Sequence, residues 1–105
     1  LAIQFHKEVH MAAFFVVDLD ITDSTGFDEY RRVVPPVIEK FGGRFLVRGG
    51  TAEVLEGQWK PKRLTLIEFP NMARAREFYT SPDYQKIIGL RLKAANTNLV
   101  LAEGV

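Results

Sequence analysis

The sequence predicts one α+β domain: a four-stranded antiparallel sheet in the order β-α-β-β-α-β, with helices over one face. Three observations carry this. Short stretches alternate apolar and polar or are rich in β-branched and aromatic residues (AFFVVDLDI, RFLVR, RLTLIEF, LVLA), apolar residues elsewhere recur every three or four positions, and Gly, Pro, Asn and Ser punctuate the joints. At 105 residues the chain has the size of a single domain, and 47% apolar with 26% charged residues is a globular balance. No apolar run approaches the roughly 18 residues that span a bilayer.

The first strand is read at Ala13 to Ile21, apolar on both faces until Asp18 and Asp20, so it calls for cover on both sides. Asp23 and Ser24 offer helix-capping side chains, and Phe27, Tyr30, Val34, Ile38 and Phe41 then follow at helical spacing. Pro35 and Pro36 remove two backbone donors, which predicts a kink or break near Val33 and a restart. Gly42-Gly43 ends the helix. Strand two is Arg44 to Arg48; AEVLEG is a short extended piece before the loop QWKPK, and strand three is Arg63 to Phe69, pairing with strand two as a hairpin. Pro70-Asn71 starts a helix with Ala75, Phe78 and Tyr79 inward, and Ser81-Pro82 opens a further piece carrying Tyr84, Ile87 and Ile88. Asn96-Thr97-Asn98 ends the helical region, and strand four is Leu99 to Ala102.

This is the order of a ferredoxin-like sandwich. Alternation puts Phe15, Val17, Phe45, Val47, Ile67, Phe69 and Val100 under the helices, and Phe14, Val16, Leu46, Leu64, Leu66, Leu99 and Leu101 on the opposite face. The second set would expose roughly several hundred Å², more than a monomer leaves in water. At about 25 cal/mol per Å² of apolar area buried, twofold pairing with another copy through that face is the economical cover.

With 14 basic and 13 acidic residues the net charge is +1, so no general field favours nucleic acid or an anionic membrane, and neither is expected as a partner. Zero cysteines exclude disulfides, a thiol nucleophile and thiolate metal sites, and favour a cytoplasmic location. The chain begins at Leu1, and Met11 opens the first strong pattern, so residues 1–10 read as an N-terminal extension or cloning-derived segment and residues 11–105 as the domain. His6 and His10 fall in that segment, where an accidental pair outweighs a metal site.

The runs VPPVIEKFGGRFLVRGG (Val34 to Gly50), VLEGQWKPKRLTLIEFP (Val54 to Pro70), FYTSPDYQKIIGLR and the closing NLVLAEGV together resemble the family called domain of unknown function number thirteen-thirty, over Met11 to Val105. That family resembles the dimeric α/β-barrel superfamily, in which two ferredoxin-like sheets pair into a barrel. The resemblance therefore implies a homodimer, in agreement with the uncovered face. Its relatives include muconolactone isomerases, antibiotic-biosynthesis monooxygenases, haem-degrading enzymes and chlorite dismutases, so the fold does not select an activity. The haem enzymes use a histidine in the helical part; none lies between Met11 and Val105, which disfavours haem. No cofactor and no metal is expected.

Two sets of residues could carry chemistry. Asp18, Arg48 and Glu68 are placed on the barrel-side face, with Arg48 bonding one or both carboxylates; they would be catalytic if a carboxylate of raised pKa shuttled a proton while Arg48 held an anionic substrate, and structural if they only fixed dimer register. Tyr30, Arg63, Tyr79, Tyr84, Arg91 and Asn96 could line a substrate pocket between helices and sheet, with Phe15 and Phe69 as walls, although tyrosines at helical spacing commonly just pack. The Arg48-Gly49-Gly50 turn matches no phosphate-binding fingerprint, and Trp59 with Lys60, Lys62 and Arg63 reads as a solvated loop. The expectation is a small homodimer that binds an aromatic or carboxylated molecule, as a cofactor-free isomerase or monooxygenase; the alternative is a non-catalytic binding or structural dimer.

Overall fold

The computed structural model describes residues 11–105. The histidine pair and the expected N-terminal segment, residues 1–10, lie outside the described residues. Along the chain run β1 (Ala13–Ile21), α1 (Ser24–Lys40), β2 (Arg44–Arg48), β3 (Leu64–Phe69), α2 (Met72–Thr80), α3 (Pro82–Gln85), α4 (Ile88–Ala94) and β4 (Ala95–Glu103). The strands order β2-β3-β1-β4, with every neighbouring pair antiparallel. This is the α+β ferredoxin-like sandwich that the sequence predicts, with the second helical region split into three pieces.

The helices begin where the side chains can satisfy orphaned backbone donors. Asp23 accepts from Gly26 N at 3.1 Å, Asn71 from Arg74 N at 2.8 Å, and Ser81 Oγ from Tyr84 N at 3.1 Å. Between the helices and the sheet lies an aromatic core. Phe15 meets Phe69 edge-on at 5.6 Å, Phe69 meets Phe78 at 5.1 Å, and Phe78 meets Tyr84 at 4.5 Å between ring centroids. Gly43 is required by this packing, because a Cβ there would run into the Phe69 ring and Ile38.

Four expectations are corrected. First, α1 is one helix from Ser24 to Lys40 with both prolines inside it, not a broken pair. Pro35 cannot donate to the carbonyl four residues back, that of Arg31, and Arg48 Nη2 takes its place at 2.9 Å. Second, β2 carries a bulge: Phe45 pairs with Ile67, but the next partner pair is Val47 with Leu66. Two residues, Leu46 and Val47, thus oppose one, so Val47 turns to the open face and Arg48, opposite buried Thr65, turns beneath the helices.

Third, β4 starts at Ala95, four residues earlier than expected, and pairs along the whole of β1. Val100 sits opposite Val16 and is 59% exposed, whereas Leu99 and Leu101, opposite Val17 and Phe15, pack on the core. The phase of β4 is therefore the reverse of the expected one. Fourth, Arg63 precedes β3, its backbone N–H turned to Asp18 at 3.4 Å. The open face consists of Phe14, Val16, Leu46, Val47, Leu64, Leu66 and Val100, and no helix of the described residues covers it. Among those residues no helix is long and apolar enough to cross a membrane.

Candidate ligand-binding site

Between α1, the pieces α2 to α4 and the covered sheet face lies a cavity with about 50 Å³ open to water centres. One water needs roughly 10–15 Å³ on that measure, so there is room for about three or four waters or one small ring. Its walls are apolar: Phe15, Val17, Leu19 and Ile67 from the sheet, Phe27, Val34 and Ile38 from α1, and Phe78 from α2. Into this apolar space come Tyr30, Tyr79, Tyr84, Thr65 and four arginines, Arg31, Arg48, Arg63 and Arg91, and among the described residues no carboxylate lines it.

Arg91 is the deepest of these charges, 4% exposed. It sits on the short helix α4, whose position three residues before buried Ala94 turns it inward. Its Nε donates to Tyr84 Oη at 3.3 Å, Tyr84 Oη lies 2.9 Å from Tyr30 Oη, and the guanidinium stands 6.0 Å from the Tyr30 ring centre. Among the described residues no acidic group pairs with it. A guanidinium so buried is expensive without a counter-ion. Burial opposes its charge, but the oxygens of Tyr84 and Tyr30 hold it, and its pKa lies above the ordinary arginine value. Burial, with the neighbouring Tyr84 oxygen, pushes the Tyr30 hydroxyl far above its ordinary 10.0, so it stays a neutral phenol. Arg91, Tyr84 and Tyr30 are thus a set of donors with little to receive them, which suits an oxyanion.

The rim is built by β2, α1 and the segment before β3. The bulge delivers Arg48 over the Phe45 ring, 4.3 Å from its centre, and its bond to the Arg31 carbonyl fixes it. Arg31 stands 5.5 Å from the Phe27 ring centre and pairs only at 3.9 Å with exposed Asp28. The Arg63 guanidinium lies flat on Gly49, whose φ of 71° and missing Cβ both make room for it. Partial burial, then the charges of Arg31 and Arg63, lower the pKa of Arg48: three guanidiniums crowd one opening.

Of the six residues expected at a substrate pocket, Tyr30, Arg63, Tyr79, Tyr84 and Arg91 line the cavity. Asn96 does not; it is exposed on β4 opposite Asp20. Of the expected walls, Phe15 lines it and Phe69 is packed behind. The trio Asp18, Arg48 and Glu68 is not brought together. Glu68 is on the open face and accepts from Arg44 Nε at 2.8 Å. Asp18, also on that face, accepts from Trp59 Nε1 at 3.0 Å and from the backbone N–H groups of Lys62 and Arg63 at 2.9 and 3.4 Å. The Trp59 bond first, with those backbone bonds, keeps its pKa below the ordinary 3.8. Arg48 is beneath the helices. Reading alternation from Arg44 misplaced it, because the bulge is invisible in the pattern.

Arg31 was not anticipated; its signal was Pro35 four residues on, which frees its carbonyl for Arg48. Among the described residues no group of His, Cys, Asp and Glu could hold a metal ion.

The model of the family described as Domain of unknown function (DUF1330) matches residues 12–105, and the chain belongs to that family. No curated protein matches it. Among solved structures it is similar to a protein of unknown function from Rhodopseudomonas palustris (TM-score 0.73, 19% identity, 97% of this chain and 89% of that one). It is also similar to a conserved protein of unknown function, possible oxidoreductase, from Bacteroides thetaiotaomicron (TM-score 0.59, 9% identity, 90% and 98%). A third is a dimeric ferredoxin-like protein of unknown function from Thermobifida fusca (TM-score 0.53, 11% identity, 90% and 92%). At these identities the likeness is one of fold.

Proposed function

We propose that residues 11–105 form a cytoplasmic homodimer that binds a small apolar or aromatic carboxylate in the cavity between helices and sheet. The observation that carries this is Arg91: a buried guanidinium, joined to two tyrosine hydroxyls, in an apolar cavity that no carboxylate of the described residues lines. A carboxylate ligand would supply the missing counter-ion bidentately, and its body would fill the apolar space. The residues at the cavity support binding; a cofactor-free isomerase or monooxygenase reaction there would need a base or an oxidant from outside this set, which lines the cavity with donors. The open face supports the dimer, since Phe14, Val16, Leu64 and Leu66 lie side by side there without cover from the described residues. The similar Thermobifida fusca protein is dimeric by its description.

The partners of Glu68 and Asp18 favour a structural role for both carboxylates, Glu68 within the sheet and Asp18 at the base of the 49–63 connection. Arg48 then belongs to the ligand site. Calorimetric titration with 4-ethylbenzoate tests the binding reading: wild type should bind, and Arg91→Met should bind roughly 10- to 100-fold more weakly. Equal affinity of the two proteins, or no binding of any small carboxylate, would remove the reading. Glu68→Gln should leave this affinity unchanged.

A further inference from the structure

The cavity holds its positive charge in two places that differ in burial and in company. One is the deep Arg91 with its tyrosines; the other is the rim, where Arg31, Arg48 and Arg63 converge from three separate elements. The rim is assembled by features that serve no other evident purpose. A proline inside a helix frees a carbonyl that fixes Arg48, a bulge turns Arg48 under the helices, and a glycine at positive φ leaves room for Arg63. Three like charges gathered at one opening repel one another, and among the described residues only exposed Asp28, 3.9 Å from Arg31, pairs with any of them. Tyr30 stands between the two groups, its hydroxyl on Tyr84 and its ring beside Arg91 and Phe27.

We infer that the ligand carries two anionic groups on one apolar body, a carboxylate on Arg91 and a second anion, carboxylate or phosphate, held by Arg31, Arg48 and Arg63 at the rim. This rests on the carboxylate reading of the Arg91 end. The rim's guanidiniums are donors only, and together they outnumber what one carboxylate can accept, so they suit either a second carboxylate or the three oxygens of a phosphate monoester. Association should weaken with salt more steeply for such a ligand than for a monoanion, because the rim is partly exposed.

The test compares three probes of similar body by calorimetric titration: 4-ethylbenzoate, 3-(4-carboxyphenyl)propanoate and 4-carboxybenzyl phosphate. Wild type should bind one or both dianions roughly 10- to 100-fold more tightly than the monoanion. The preferred dianion identifies the second group as carboxylate or phosphate. Arg48→Gln with Arg63→Gln should remove that advantage, so that this variant binds the dianions no more tightly than it binds 4-ethylbenzoate. Gly49→Ala should do so in part without touching a charge, by displacing the Arg63 guanidinium, and a melting curve close to wild type shows that it folds. If the monoanion binds through Arg91 and neither dianion gains, the inference is overturned and the carboxylate reading stands. If no probe binds, both fall.

Discussion

The two faces of the sheet are made from the same kind of residue and treat charge in opposite ways. On the open face, Phe14, Val16, Leu64, Leu66 and Val100 surround carboxylates that already have partners: Arg44 for Glu68, and Trp59 with two backbone N–H groups for Asp18. On the covered face the apolar residues surround four arginines and, among the described residues, no acid. A face whose charges are satisfied within the chain needs only apolar cover, and a second copy can supply it. A face with donors left over is where the proposed anionic ligand would find partners. On the proposed reading, assembly and recognition fall on opposite sides of one sheet.

Several experiments would break or sharpen this contrast. The largest effect is expected on the covered face itself: Phe78→Ala, which removes ring contacts to Phe69 and Tyr84, should cost about 3–5 kcal/mol in urea unfolding. A loss below about 1 kcal/mol would mean that the aromatic layer is not the core. Next, Leu66→Glu should convert a dimer to a monomer at micromolar concentration in sedimentation velocity, with 4-ethylbenzoate affinity retained. Lys86→Glu, at an exposed position on the far side, should leave assembly alone. A wild type that sediments as a monomer would remove the assembly half of the comparison.

Arg91→Met should separate binding from stability. Because it replaces a buried charge that has no counter-ion among the described residues by an apolar chain of similar length, stability should change by no more than about 1 kcal/mol or rise, while carboxylate binding falls. A large destabilisation would make Arg91 a structural residue. The remaining effects are smaller and depend on pH. The folded pKa of Asp18 is lowered, so its contribution is present above the ordinary 3.8 and lost as pH falls through the folded value. Trp59 emission should therefore shift below pH 3.8, and Asp18→Asn should abolish that titration. Tyr30 is the converse case: its raised pKa gives stability that is complete below 10.0 and declines as pH rises beyond it, so Tyr30→Phe should flatten the alkaline limb of a stability profile.

Much of this contrast is legible in the residues. The alternation of β1 and β3 places Phe14, Val16, Leu64 and Leu66 on one face and Phe15, Val17, Ile67 and Phe69 on the other, as the pairing register has them. The helical spacing of Phe27, Tyr30, Val34 and Ile38 finds the inward side of α1, and five of the six residues expected at a pocket do line it. The clearest errors are in the two edge strands. In β2 one extra residue shifts the phase halfway along; in β4 the strand begins inside a stretch, Ala95 to Asn98, whose Asn and Thr resemble a helix end.

The sequence by itself determined the order of elements, the aromatic core, the existence of a second apolar face and the family. The first three follow from local periodicity, which a chain carries in its own spacing, and the family from the motif runs between Val34 and Val105 that resemble it. Only the tertiary structure decided which charges meet. Arg48 is the partner the sequence suggests for Glu68, but pairing gives that place to Arg44. Arg48 goes instead to the carbonyl that Pro35 leaves open, and so to the mouth of the cavity. The physical reason is that alternation fixes a side chain's face only relative to its neighbours. The absolute phase comes from the hydrogen-bond register with another strand, and one bulge is enough to carry an arginine from one side of the sheet to the other.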